Sequence, residues 1–245
     1  GGRPIARAYE EVRKVFGNLS RGEGKDVITT FRALRRNSRN LGGSTMRLAQ
    51  IYGRGREGLG KALEDIGKLG EEMGASFHSA SKEFAASPGK MIMYTKGLGY
   101  TGEQLAKFTK RAKTMGTSLQ DQLFQVANLS TQMGRKFGMS SKLIAKDMAE
   151  MTGDFENFGS VTQEQMAATS VFARKLGMEI KDMMGIIDKF DNFESAAEGA
   201  SMLAQAFGMN VDAMAMMTAE NPAQMIDQLR SSFFETGRSI KDLTR

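Results

Sequence analysis

Apolar positions in the second half of the chain recur at helical spacing between polar breaks. Leu143-Ile144-Met148, Ile180-Met183-Met184-Ile187 and Val211-Met214-Met217 each put their large side chains on one face of a short helix. The starts of such helices are marked. Thr101-Gly-Glu-Gln104, Ser118-Leu-Gln-Asp121 and Thr162-Gln-Glu-Gln165 have the spacing of capping boxes, the middle one with Asp in place of Glu/Gln. Asn221-Pro222-Ala223-Gln224 adds a proline in the first turn. The stops repeat one device: in Phe137-Gly138-Met139, Leu176-Gly177-Met178 and Phe207-Gly208-Met209 a hydrophobic residue ends the helix, glycine takes the left-handed conformation, and methionine folds back on the last turn. Gly138, Gly177 and Gly208 are therefore the expected helix-break turns. Their spacing is too uneven for a strict solenoid and predicts a degenerate array of helical hairpins.

A different period governs the stretch before this array. Tyr52, Leu59, Ile66, Met73 and Ala80 fall seven apart, and Leu63, Phe77 and Phe84 extend an adjacent row. A seven-residue step is the pattern of a helix packed along its length against another helix. Gly53, Gly60, Gly67 and Gly74 keep the same step, with Ser81 continuing it. Each glycine costs an isolated helix roughly 1 kcal/mol relative to alanine, so this helix needs neighbours. The pattern predicts an oligomerising helix over 56–87, with a Gly-rich connector as the alternative.

Composition agrees with helix: 3 Pro, 4 Tyr and no Trp stand against 19 Met, and the second half is rich in Ala. The expected fold is all-α, with extended or coiled-coil-like N-terminal helices followed by an array of short packed helices. Charge and methionine divide the chain. Residues 1–96 hold 18 Lys+Arg against 10 Asp+Glu, residues 97–245 hold 16 against 18, and 17 of the methionines lie from Met91 onward. Ser87-Pro88-Gly89 is the clearest breaker. This gives a basic helical arm over 1–55, the seven-patterned Gly-rich helix over 56–89 and a Met/Ala-rich multi-helix domain over 90–245. If 25–41 is helical, Arg32, Arg35, Arg36 and Arg39 form one basic face able to meet phosphates of DNA or of an anionic membrane, or acidic partner proteins. Methionine adapts to irregular contacts, so the later region reads as a plastic core or a docking surface.

The sequence offers little to catalysis. Zero Cys excludes disulfides and thiolate metal sites, and one His, His78, leaves little for imidazole ligation. No cofactor is expected. Gly55-Arg-Glu-Gly-Leu-Gly60-Lys61 approaches a phosphate-binding loop, but Ala62 replaces the hydroxyl that would hold magnesium. Phe193-Glu194-Ser195 distantly resembles the Glu-Ser of lytic transglycosylases, yet lacks their Gly-Leu-Met-Gln element, and Glu194 reads better as a solvated carboxylate at a helix start. No apolar run has the length of a membrane span, since Ala196–Met217, the richest stretch, contains Glu198, Gln205, Asn210 and Asp212. The chain opens Gly1-Gly2-Arg3-Pro4 and stops at Leu243-Thr244-Arg245 without a capping signal, the expectation for a piece of a longer protein.

Three runs carry a family resemblance: Lys136-Phe-Gly-Met-Ser140, Ala168-Thr-Ser-Val-Phe-Ala-Arg-Lys-Leu-Gly-Met178, and Phe193-Glu-Ser-Ala-Ala-Glu-Gly-Ala-Ser-Met-Leu-Ala-Gln-Ala-Phe-Gly-Met209. In texture they resemble the helical region of tail tape-measure proteins of long-tailed bacteriophages, over roughly residues 97–240. The resemblance implies a virion structural protein that lies inside the tail tube in a small number of copies, three or six. It implies contacts with the tail tube and with baseplate hub or tip proteins, a helical length that sets tail length, and release during infection past viral DNA and the host membrane. The alternative is an oligomeric helical accessory protein that binds DNA or anionic membrane through its basic N-terminal part.

Overall fold

In the structure, a computed structural model, residues 51–52, 55–154 and 158–238 are described. They are all-α: among them there is no strand. The chain divides into two compact units, Gly1–Ala127 and Asn128–Arg245. Ser87-Pro88-Gly89 lies within the first unit, and Pro88 is the first residue of the helix Pro88–Leu98 there.

In the first unit the helices are α1 (Gly55–Met73), α2 (Ser76–Ala86), α3 (Pro88–Leu98), α4 (Gly102–Met115) and the start of α5 (Leu119–Phe137). The single helix expected over 56–87 is broken. Gly74 sits at φ +54, its amide donates back to the carbonyl of Gly70, and a new helix begins at Ser76. A residue with a Cβ adopts that conformation only with strain, so the glycine that continued the seven-residue row is also the glycine that ends α1. The two pieces pack on each other, and both pack on α4. Ile66, Met73, Phe77, Ala80 and Phe84 thereby become core, the last two without any exposure, and the Phe77 and Phe84 rings lie 5.6 Å apart.

The second unit holds the rest of α5, then α6 (Ser141–Gly153), α7 (Gln163–Lys175), α8 (Ile180–Asp188), one 3-10 turn (Lys189–Asp191), α9 (Phe193–Phe207), α10 (Ala213–Met217) and α11 (Pro222–Glu235). Helix α7 is central: it packs on α6, α8 and α11. Its Met166 and Phe172 meet a core containing Ile144, Met148, Met183 and Phe233, and the Phe172 and Phe233 rings meet edge to face at 5.9 Å. Helix α9 lies on the 3-10 turn so closely that a Cβ at Gly199 would touch the Phe190 ring at 3.4 Å.

The local punctuation appears as written in the chain. Thr101 and Thr162 each accept the amide three residues on, and Gln104 and Gln165 return the bond to the threonine amide. Asn221 accepts from the amide of Gln224 ahead of α11. Gly138, Gly177 and Gly208 have φ of +67, +75 and +67. After the first two, methionine folds back: Met139 N–H donates to the Gly134 carbonyl and Met178 N–H to the Ala173 carbonyl, both at 2.9 Å.

Candidate functional site

Among the expected oligomerisation positions, Ile66, Met73 and Phe77 are buried inside the first unit by its own helices, as is Gly67. Leu59, Leu63 and Gly60 lie on α1, Gly74 is the turn after it, and Tyr52 is half-buried just ahead of it. Gly53 and the basic-face residues Arg32, Arg35, Arg36 and Arg39 lie outside the described residues. The near-P-loop segment from Gly55 to Ala62 is helix, so its amides past the first turn are committed to the backbone ladder rather than to a phosphate. His78 is exposed on α2 and Glu194 is exposed in the first turn of α9, where Asn192 accepts the Ser195 amide.

Two polar centres had no clear mark in the sequence. In the first unit, the Tyr52 hydroxyl donates to Asp65 Oδ2 at 2.5 Å, Lys96 Nζ from α3 lies 2.7 Å from the same oxygen, and that ammonium stands 4.2 Å above the Tyr52 ring. Burial, then the hydrogen bond to Asp65 and its negative charge, push the Tyr52 hydroxyl well above its ordinary range. Burial pushes the Asp65 carboxyl up, but hydrogen bonds from Lys96 and Tyr52, with the charges of Lys96 and Lys68, outweigh it and hold the group below the usual carboxylate range.

In the second unit, Asp147 of α6 is buried and bound from α7 on three sides. Arg174 Nη2 and Nε donate to its two oxygens at 2.7 and 3.0 Å, and the Ser170 hydroxyl donates at 2.7 Å. The hydrogen bond to Asp147 raises the Arg174 guanidinium, against burial and with help from the charges of Asp147, Glu179 and Asp182. A carboxylate on the same face as Ile144, Met148 and Met151 is the signal that could have revealed it, because such a position needs a buried partner.

A third arrangement joins elements distant in sequence. Glu72, near the end of α1, accepts the first amide of α4, Gly102 N–H, at 2.6 Å. Glu83 of α2 accepts the Leu119 and Gln120 amides at the start of α5. Carboxylates at helix N-termini satisfy unpaired donors and oppose the helix dipole.

These arrangements orient and hold helices. Large apolar side chains remain outside: Met115 and Phe124 in the first unit, Phe193, Met202, Met214 and Phe234 in the second. Among the described residues no group of three acidic or histidine side chains could hold a metal ion, and no helix is long and apolar enough to cross a membrane. Comparison with known families, with curated proteins and with solved structures finds no match.

Proposed function

We propose that this chain is a virion structural protein, a tail tape measure that occupies the lumen of a phage tail tube, anchors at the baseplate or tip hub, sets tail length and leaves during genome ejection. The observation that carries this reading is the repeated helix-Gly-Met ending in a resembling stretch of sequence, with left-handed glycines at 138, 177 and 208 between short helices. In this reading the N-terminal part is the extended or coiled-coil-like end, and three or six copies associate with one another and with tube and hub proteins.

Quantitative mass spectrometry of purified particles tests the proposal by counting copies of peptides from 101–245 per particle. A small integer number per tail, on a longer parent chain, is the expected result. Absence from particles, or hundreds of copies, would overturn it and favour an accessory protein that binds DNA or anionic membrane through its basic N-terminal part.

A further inference from the structure

Gly138, Gly177 and Gly208 are unevenly spaced, but another set of left-handed glycines is not: Gly116, Gly177 and Gly237 have φ of +66, +75 and +76 and stand 61 and 60 residues apart. Around the first two the chain repeats itself without a gap. Residues 101–121 and 162–182 share Thr101/Thr162, Glu103/Glu164, Gln104/Gln165, Ala106/Ala167, Ala112/Ala173, Gly116/Gly177 and Asp121/Asp182, seven identities in 21 positions. The bonds repeat with the residues. Both copies open with the same Thr-Gln capping box, and the amide after each glycine donates to an alanine carbonyl five residues back, Thr117 to Ala112 and Met178 to Ala173, both at 2.9 Å. Burial repeats as well: Leu105 and Met166, Thr109 and Ser170, Leu119 and Ile180, Val126 and Ile187 are buried at each pair of positions. On the helix before each copy, a buried threonine hydroxyl donates to a methionine carbonyl four residues earlier, Thr95 to Met91 on α3 and Thr152 to Met148 on α6.

Helical period alone makes apolar positions agree, and capped helices share their starting residues. Neither fixes the equal 15-residue distance from cap to glycine, the buried hydroxyl at 109 and 170, or the aspartate beyond the turn at 121 and 182. We propose that the chain carries a tandemly repeated helical module with a step of about 60 residues, whose leading helices α4 and α7 are interchangeable on their scaffolds. A third start stands at Asn221, where Gln224, Met225 and Gly237 take the places of Gln165, Met166 and Gly177 with one residue inserted before the glycine. Departures between the first two copies follow their neighbours. Gly102 stands where the second copy has Gln163, because Glu72 accepts the Gly102 amide and a Cβ there would lie 2.7 Å from the Leu69 carbonyl oxygen. The Thr109 hydroxyl donates to its own helix at Leu105, whereas that of Ser170 donates to Asp147 of α6. The proposal does not depend on the tail reading.

Two grafts in the full chain test this by urea unfolding followed by circular dichroism. In the first, residues 103–116 are replaced by the sequence of 164–177, leaving Gly102 in place against Glu72. In the second, the same residues are replaced by the sequence of 195–208, an equally long segment of α9 that ends in the left-handed Gly208 but lies outside the repeat. The first graft is expected to unfold cooperatively with a midpoint within about 1 M urea of the parent's, and the second to lose the cooperative transition of the first unit. Loss of cooperative unfolding in the first graft would overturn the interchange of α4 and α7. Equal tolerance of both grafts would overturn it too, since any helix ended by glycine would then serve.

Discussion

Both oxygens of the Glu83 carboxylate are occupied by the start of one helix: Oε1 accepts from the Leu119 amide at 2.9 Å and Oε2 from the Gln120 amide at 2.7 Å. The Asp121 amide goes to Ser118 Oγ at 3.0 Å, so three early donors of α5 are satisfied by two side chains from different parts of the chain. Replacing Glu83 with Ala should therefore cost about 1–2 kcal/mol, the scale of a lost cap. Urea denaturation of the variant followed by circular dichroism measures it. Glu83→Gln, which keeps one acceptor, should lose less.

Gly102 and Gly185 make an opposed pair for the same substitution. A Cβ at Gly102 would collide with Glu72 Cβ and lie 2.7 Å from the Leu69 carbonyl oxygen, backbone that cannot yield without separating α1 from α4. Gly102→Ala is expected to destabilise by about 1–3 kcal/mol. A Cβ at Gly185, inside α8, meets nothing within 4 Å. Gly185→Ala should stabilise by about 0.5–1 kcal/mol through the glycine's lost freedom in the unfolded chain. Thermal unfolding of both variants beside the parent reads the two signs directly.

Removing one member of the Asp147 centre leaves the others buried or half-buried without their acceptor. Asp147→Ala should cost about 3–5 kcal/mol. The double change Asp147→Leu with Arg174→Met should recover most of this, because apolar groups of similar size need no partner there. A double variant as unstable as the single one would show that the centre does more than satisfy itself.

Two carboxyls should make stability depend on acid in opposite senses. Asp65 is held below its ordinary value in the folded chain, so its contribution is present above about pH 4 and disappears as pH falls through the lower folded value. Tm of the parent should then drop more steeply than that of Asp65→Asn on acidification below pH 4. Asp188 is the reverse: burial first, then the charges of Asp154 and Asp191, raise it. Its protonated form fits the fold better, so its contribution is full below about pH 4 and is lost as pH rises through the folded value. Asp188→Asn should raise stability at pH 7, by no more than about 0.5 kcal/mol at so exposed a site, and leave it unchanged at pH 3.

What could be read from the sequence was local. Thr101 with Gln104, Thr162 with Gln165, Asn221 with Gln224, the Gly-Met endings at 138 and 177 and the left-handed Gly208 act within about one helical turn, so their spacing carries the signal, whereas no fold-back bond from Met209 accompanies the third ending. Gly74 has two roles: it keeps the seven-residue step and also follows Met73 as the left-handed glycine that ends a helix, so the step alone does not show the break. The apolar row of 66, 73, 77 and 84 is buried and α4 of the same chain packs on its helices, but periodicity alone does not say whether such a neighbour belongs to another chain or to the same one. Glu83 with Leu119 and Asp147 with Arg174 are separated by 36 and 27 residues, and no short-range pattern ties one to the other.

The distant caps also impose an order in time. Protein synthesis runs from the amino end, so Glu72 is made 30 residues before the Gly102 amide it receives, and Glu83 is made 36 residues before that of Leu119. The slow event in making a helix is its first turn. As α4 and then α5 emerge from the ribosome, the carboxylate that anchors each first turn has already been made, on a helix that precedes it.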